Sequence, residues 1–263
     1  MNDRPFLTAD WRHLLVVNYE VDPALLAPYV PRGTVLDFDG GRCFASLVAF
    51  RFEHTRLLGV GVPFHATFPE INLRFYVVRD VPGGARRGVV FLRELVNRRA
   101  VAALANCAYN EHYRVVPIRS EVELDDERNI ALGGRACYRC RCGGREHRIA
   151  ARRSGSWRPL DGASHAGFIA EHYFGYGTAR DGLTIEYRVA HRSWRVADVG
   201  DLEIDIDAES LYGPTLVPLF AGGPRSAFLL DGSPVAVYRP HRFWANDRGD
   251  DRECISALLD QSS

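Results

Sequence analysis

The segment Glu70-Ile-Asn-Leu-Arg-Phe-Tyr-Val77 alternates between polar and apolar side chains without a break. Successive side chains of a β-strand point to opposite faces, so the four polar side chains share one face: Glu70, Asn72, Arg74 and Tyr76. Two interpretations are open. The polar face lies in water on a half-exposed strand, or it lines a cavity where a carboxylate, an amide, a guanidinium and a phenol converge on a small ligand.

The surrounding sequence predicts a mainly antiparallel sheet with a few short helices. Segments rich in Val, Phe and Tyr between turn residues predict strands at 43–53, 70–79, 88–96, 112–124, 130–142, 145–152, 183–197 and 226–239, the last split by a hairpin turn at 231–233. Helices are predicted at 24–30, at 99–109 and, from a Ser164 cap, at 165–173. We expect one α+β domain over residues 1–246, built as a strongly bent sheet or barrel, and a loosely held polar tail over 247–263.

The composition, 46% hydrophobic and 25% charged, is that of an ordinary soluble globular protein. The 33 acidic residues balance the 33 basic ones, which argues against nucleic acid or an anionic membrane as a partner. The N-terminal segment lacks the apolar run of a signal peptide, and no segment approaches the ~20 apolar residues that span a bilayer. Six cysteines without a secretory signal indicate reduced thiols. We expect a cytoplasmic protein.

The chain contains no lysine, so all 33 of its basic residues other than histidine are arginine. Codon drift in a GC-rich genome explains such a bias. Lysine supplies the primary amine of Schiff-base catalysis. Decarboxylase or aldolase chemistry of that kind would therefore need the N-terminal amine or another mechanism.

Further candidate site residues follow the polar strand. The segment 89–95 is apolar on both faces until Arg93 and Glu94, which is typical of a covered central strand. A buried charge there needs a partner, and pairing of Glu70 with Arg93 or of Glu94 with Arg74 is equally open.

Two later clusters combine histidine with tyrosine, a combination that often lines pockets. They lie at 109–113, with Tyr109 and Tyr113, and at 171–176, with His172. A wet loop with aromatic anchors is the alternative interpretation of the first cluster.

A cysteine-rich hairpin is predicted around the glycine pair 143–144. Its turn would place Cys140 opposite His147 and Cys142 opposite Arg145. Three possible ligands would then share one face, whereas a structural zinc site needs four. We therefore expect free thiols and no metal. Complete nucleotide-binding motifs are missing as well, so no cofactor is predicted.

Five segments in order resemble the YqjF-like proteins, the family of domain of unknown function 2071: 6–37, 62–77, 88–96, 168–176 and 224–240. The resemblance covers about residues 6–240. That family has no assigned activity, so the resemblance implies a fold more than a function. The implied fold is acetoacetate-decarboxylase-like, a bent double-layered β structure that closes into a cone-like barrel around a cavity.

The resemblance also has consequences for the site. Acetoacetate decarboxylases use a Schiff-base lysine beside a second basic residue, in a cavity lined by glutamates and an arginine. Glu70 is thereby implied to be a cavity carboxylate, and Arg98 and Arg99 lie near the position of the lysine pair. Because this chain has no lysine, the mechanism of these relatives is not available to it.

Three functions remain consistent with the sequence. The first is an enzyme of lyase, tautomerase or hydratase type that acts on a small carboxylate or carbonyl metabolite without an amine. Its catalytic candidates are Glu70, His172 and Tyr113, and its substrate-binding candidates are Asn72, Arg74, Tyr76, Arg93 and Tyr109. The second is a non-catalytic module that binds or senses a small molecule in the same cavity. The third is a structural protein whose polar strand faces solvent. A homo-oligomer is compatible with each.

Overall fold

The computed structural model describes residues 4–61, 63–108 and 112–244. The candidate residue Tyr109 and the proposed tail at 247–263 lie outside these ranges. No helix in the described part of the chain is long and apolar enough to cross a membrane.

The described residues form strands and a few short helices, as predicted. The strands are β1 Leu7–Glu20, β2 Val35–Leu36, β3 Phe44–Leu57, β4 Val60–Gly61, β5 Phe68–Val81, β6 Gly84–Val96, β7 Tyr113–Val115, β8 Ile118–Val122, β9 Arg135–Cys142, β10 Arg145–Arg153, β11 Arg158–Pro159, β12 Phe174–Thr178, β13 Thr184–His191, β14 Arg195–Asp205, β15 Ser226–Val237 and β16 His241–Phe243. The α-helices are α1 Pro23–Leu26, α2 Arg99–Ala108, α3 His165–Ala170 and α4 Ala208–Tyr212, with 3-10 turns at Ala27–Tyr29 and Pro214–Phe220.

Seven strands form a closed ring in the order β13-β12-β6-β5-β3-β1-β15, because β15 also pairs with β13. Neighbours in the ring are antiparallel except β12 and β6. The strands β8, β9 and β10 continue from β14 and cover the outer face of the ring, which makes the structure double-layered. The fold is therefore the strongly bent sheet that the sequence predicted, with the cone-like arrangement that the family resemblance implied.

Two apolar cores hold these layers together. The outer core lies between the ring and the second layer, where Ile71 and Leu73 of β5 share a cluster with Tyr138 of β9. The inner core lies inside the ring, where Phe168 and Ile169 of α3 share a cluster with inward-facing strand residues. Since β5 is covered on both faces, its polar face cannot lie in water.

Some predicted elements differ from the structure. The segments 112–124 and 183–197 each contain parts of two strands instead of one, and two further differences concern the turn at 231–233 and the third helix. β15 continues through the predicted turn at 231–233 without ending. The reason is that Asp231 accepts hydrogen bonds from the backbone and side chain of Arg195, and Ser233 accepts one from Trp194 Nε1. Gly232 has a φ of +79°, which lets the strand bend there without ending. The last difference is α3, which Ser164 caps as predicted but which ends at Ala170.

The cysteine hairpin has the predicted register, with Cys140 opposite His147 and Cys142 opposite Arg145. Both ring nitrogens of His147 contact the backbone: Nε2 lies 3.0 Å from the carbonyl oxygen of Cys142, and Nδ1 accepts from the Asp207 amide. The imidazole therefore ties the hairpin to the segment before α4. Across the described ranges, no cluster of His, Cys, Asp and Glu is arranged to hold a metal ion.

Candidate functional site

The ring of strands encloses a cavity of about 240 Å³. Leu7, Leu57 and Val237 line one end, where β1 pairs with β3 on one side and with β15 on the other. Exposed Ala100 of α2 lines the cavity as well, so the cavity reaches the surface beside that helix. Ala170 at the end of α3 and His172 shortly after it also line the cavity.

The polar wall of the cavity comes from three adjacent strands. Glu70, Asn72 and Arg74 project from β5 and are 2%, 3% and 8% exposed. Asn72 lies opposite Glu94 of β6, and Glu94 lies beside Tyr113 of β7. These five side chains all line the cavity. The register of the sheet thus brings together residues that are up to 43 positions apart in sequence.

Hydrogen bonds fix the carboxylate of Glu70 from two sides. Asn72 Nδ2 donates to Oε1 and the Tyr113 phenol donates to Oε2, each at 3.2 Å. Tyr113 is itself held by Asn106 of α2, whose side-chain amide accepts from its backbone N–H at 2.9 Å and donates to its carbonyl at 3.1 Å. Since carboxylate oxygens carry further lone pairs, Glu70 can still accept a proton or a hydrogen bond from a ligand.

Arg74 is a buried cation that forms no ion pair with the described residues. Its Nη2 donates to the carbonyl oxygen of Ile169 at 3.3 Å, and its guanidinium carbon lies 5.8 Å from the centre of the Tyr76 ring. Its Nε has no hydrogen-bond partner within the described chain. A buried charge without a counter-charge is costly, so this guanidinium is suited to receive an anion.

His172 lies beside this arginine in its neutral form. Burial lowers the pKa of His172 well below its usual 6.5, and the nearby Arg87 and Arg74 lower it further. Its ring is 4.8 Å from that of Tyr76, and Nε2 lies 4.0 Å from Asp37. Neither ring nitrogen forms a hydrogen bond with the described residues.

Two predicted site residues do not line the cavity. Tyr76 lies two residues after Arg74 on the same face of β5 and donates its phenol hydrogen to Ser46 at 2.6 Å. Arg93 lies opposite Leu73, whose side chain belongs to the outer core. β6 has an irregularity at Leu92, and Arg93 therefore falls on the outer face of the ring. Only Glu94 of the predicted charged pair reaches the cavity.

The arginines that the family resemblance placed near the missing lysines also lie outside the cavity. Arg98 donates to the carbonyl oxygens of Asn97 and Thr67, both at 3.4 Å, and Arg99 is exposed at the start of α2. Their neighbours Ala100 and Val101 line the cavity instead.

An aromatic part of the cavity was not predicted. Its walls include the following rings of β1, β3, the start of β5, and the segment before β14: Trp11, Phe50, Phe52, Phe68 and Trp194. β1 was not predicted as a strand. The phenylalanines were not recognised as cavity residues because in sequence they resemble ordinary core residues. The alternation of Phe50 and Phe52 around Arg51 was the available signal.

Comparison with known proteins confirms the resemblance and the fold. The family model of domain of unknown function 2071, described as an uncharacterized conserved protein, matches residues 8–234. No curated protein matches the sequence. Among solved structures, the enduracididine biosynthesis enzyme MppR complexed with pyruvate is 13% identical with a TM-score of 0.63, covering 93% of this chain and 92% of that one.

Two further structures have the same fold. An acetoacetate decarboxylase-like enzyme from Sphingomonas wittichii is 15% identical with a TM-score of 0.61, covering 92% of this chain and 94% of its own. Acetoacetate decarboxylase from Legionella pneumophila is 12% identical with a TM-score of 0.60, covering 91% and 87%. At these identities the similarity establishes an acetoacetate decarboxylase-like fold and leaves the activity of this chain open.

Proposed function

The chain belongs to the family of domain of unknown function 2071, and we propose that its cavity binds a small carboxylic acid carrying a carbonyl or hydroxyl group and transforms it by acid–base chemistry. The observation that carries the proposal is the placement of Arg74, a buried cation without an ion pair among the described residues, in the same cavity as the carboxylate of Glu70. The guanidinium can receive the acid group of a ligand, and the carboxylate has lone pairs that can accept a proton.

Arg74 is the anion anchor in this proposal. A guanidinium binds a carboxylate through two parallel N–H···O bonds, and its Nε has no competing partner among the described residues. The ligand of one structural neighbour, pyruvate, is an acid of this class. Asn72 and neutral His172 offer uncharged polar groups that can orient the rest of the ligand.

Glu70 is the general base, and Tyr113 is its partner. A carboxylate beside the ligand can take the proton from a carbon next to a carbonyl group while the phenol donates its own proton to the carbonyl oxygen, which gives the enol. The protonated carboxyl group can then restore the phenol through the hydrogen bond between them. Tautomerase, hydratase and lyase reactions share this step. The chain has no lysine, so the step proceeds without an imine to a side chain.

Proton exchange tests this function directly. Small keto acids are incubated with the protein in deuterated buffer, and loss of the α-hydrogen signal is followed by NMR while binding is measured by calorimetry. We expect Arg74→Gln to weaken binding at least ~10-fold and Glu70→Gln to abolish exchange with binding retained. The matched control is Arg93→Gln, which changes an arginine of the same sheet on the outer face.

Equal loss of binding in both arginine variants would contradict the proposal. Binding that depends on Arg74 without any proton exchange would instead favour a binding or sensing module. The double hydrogen bonding of Glu70 by Asn72 and Tyr113 is the observation that favours this second function, because it holds the carboxylate as an acceptor.

A further inference from the structure

We propose that the preferred ligand is a carboxylic acid with an apolar body of about the size of a phenyl ring, and that compact acids such as acetate or pyruvate fill only one part of the site. This inference rests on the function proposed above and specifies its substrate class.

The polar side chains on the cavity face of β5 lie next to an aromatic one at the start of the strand. Phe68, Glu70, Asn72 and Arg74 follow one another on the same face and all line the cavity. Same-face neighbours on a strand are about 7 Å apart, so Arg74 and Phe68 are separated by about 20 Å of backbone. A ligand whose carboxylate binds Arg74 and whose reacting carbon lies beside Glu70 therefore has its remaining atoms directed toward Phe68.

The end of the cavity near Phe68 is aromatic. Phe68 stacks on Phe52 with ring centres 4.7 Å apart, and Trp11 meets Phe52 and Trp194 edge-on or tilted at 6.0 and 6.3 Å. Phe50 lies opposite Glu70 in the β3–β5 register, so the aromatic part begins beside the proposed base. Rings in such an arrangement favour another apolar or aromatic group over water.

Polar groups are unequally distributed in the cavity. The charged and amide groups come from β5 and β6, whereas β1 and β15 supply apolar side chains such as Leu7 and Val237, and β13 adds Val189 together with Tyr187 and His191. A three-carbon acid satisfies Arg74 but leaves these walls without a partner. An acid with an apolar body satisfies both parts at once.

Matched ligand pairs test the inference by calorimetry on the full chain. The pairs are pyruvate with phenylpyruvate and acetate with 3-phenylpropionate, and 3-phenylpropan-1-ol has the same body without the anion. We expect each phenyl-bearing acid to bind at least ~10-fold more tightly than its compact partner, and the alcohol to bind at least ~10-fold more weakly than 3-phenylpropionate.

Two variants locate the effect. Phe68→Leu should reduce the preference for phenylpyruvate over pyruvate at least threefold, while the control Phe243→Leu, a buried phenylalanine on β16 outside the cavity, should leave it unchanged. Phenylpyruvate that binds no more tightly than pyruvate, with both lost in Arg74→Gln, would overturn this inference and leave the proposed function standing. If none of these acids bound in an Arg74-dependent way, the proposed function would fail as well.

Discussion

Tyr113 donates its phenol hydrogen to Glu70 across 43 residues of sequence. The two side chains meet because β6 pairs with β5 on one side and with β7 on the other, in a register that aligns Glu94 with both Asn72 and Tyr113. The hydrogen bond thus depends on three strands at once, and it links the proposed base to the phenol of Tyr113.

Replacing Tyr113 by phenylalanine should slow proton exchange about 10- to 100-fold, because the phenol no longer assists the proton transfer. Binding of the ligand should change less than threefold, since Arg74 is untouched. NMR exchange and calorimetry measure the two effects separately. Tyr29→Phe, a change at a tyrosine outside the cavity, is the control. Exchange that is unaffected by Tyr113→Phe would remove the phenol from the mechanism.

Replacement by methionine should lower the free energy of unfolding at Arg79 but not at Arg74. Arg79 and Arg86 both form buried ion pairs with Glu186, at 3.0 and 2.8 Å, so Arg79→Met removes one of these two charged partners of the carboxylate and should cost about 1.5–3 kcal/mol of unfolding free energy. Arg74 has no such partner within the described chain, so Arg74→Met should leave the free energy of unfolding unchanged or raise it by about 1 kcal/mol. Chemical denaturation measures both.

The same experiment has a second readout. Carboxylic acids should raise the melting temperature of the wild-type protein and leave that of Arg74→Met unchanged. A strong loss of stability in Arg74→Met would show that the guanidinium is structural, contrary to its proposed role as an anchor.

Gly175 allows the ring of Tyr187 to lie against the backbone of the neighbouring strand. The two residues are opposite each other on β12 and β13, and a Cβ at position 175 would overlap the Tyr187 ring. Because Tyr187 lines the cavity, Gly175→Ala should displace its ring, destabilise the fold by about 1–3 kcal/mol and weaken binding of phenyl-bearing acids. The control Gly162→Ala adds a Cβ where no atom lies within 4 Å.

A double-mutant cycle identifies the cause. In a Tyr187→Leu background the cost of Gly175→Ala should fall by at least about 0.5 kcal/mol, because the overlapping ring is gone. An equal cost in both backgrounds would place the effect in the backbone of β12 and not in the tyrosine.

The sequence predicted the polar wall of the site better than the apolar one. Alternation on β5 reports which side chains share a face, and the family resemblance implied that this face is inside. It could not report that β6 is irregular at Leu92, which turns Arg93 outward and leaves Glu94 in the cavity. The aromatic wall was hidden for a different reason: phenylalanines that line a cavity and phenylalanines that fill a core have the same pattern in sequence.

The turn predicted at 231–233 failed because local propensity competes with tertiary contacts. Asp-Gly is a strong hairpin signal when its side chains are free. Here Asp231 and Ser233 are buried and bonded to residues of β14 and its preceding segment, which favours a continuous strand. No residue in the segment itself carries that information.

A chain of hydrogen bonds that is buried at Tyr76, Ser46 and Asn18 should be weakened by replacing Asn18. It runs from Tyr76 through Ser46, Asn18, Ser226 and His165 to Asp39, with distances of 2.5–2.9 Å. It connects β5 to α3 and so holds the helix that carries the Ile169 acceptor of Arg74. Asn18→Leu deprives two hydroxyl groups of a partner and should lower the free energy of unfolding by about 2–4 kcal/mol.

The internal control for Asn18→Leu is a change at its hydrogen-bond partner Ser46. Combined with Ser46→Ala, the Asn18→Leu change should cost less than the sum of the two single changes, because one hydrogen bond is shared. Full additivity in thermal or chemical denaturation would mean that the residues act independently and that the chain is not a unit.

Stability should fall as the pH decreases below about 6.5, and His172 should account for part of the fall. The pKa of this histidine is lowered well below 6.5 in the folded protein by burial and by neighbouring arginines. Below pH 6.5 the unfolded chain therefore binds a proton at this position that the folded chain does not bind. The stabilising contribution is fully present above pH 6.5 and is lost toward acid at up to about 1.4 kcal/mol per pH unit.

Chemical denaturation of the wild-type protein and of His172→Gln between pH 7.5 and 5 measures this slope. Below pH 6.5, the free energy of unfolding of His172→Gln should fall less steeply than that of the wild type, by up to about 1.4 kcal/mol per pH unit. His112→Gln, a change at an exposed histidine, should follow the wild-type curve. A smaller slope should remain in the variant, because burial also lowers the pKa of His13 and His191. Parallel curves for wild type and His172→Gln would mean that the imidazole takes up its proton inside the folded cavity, where it would then add a positive charge beside Arg74.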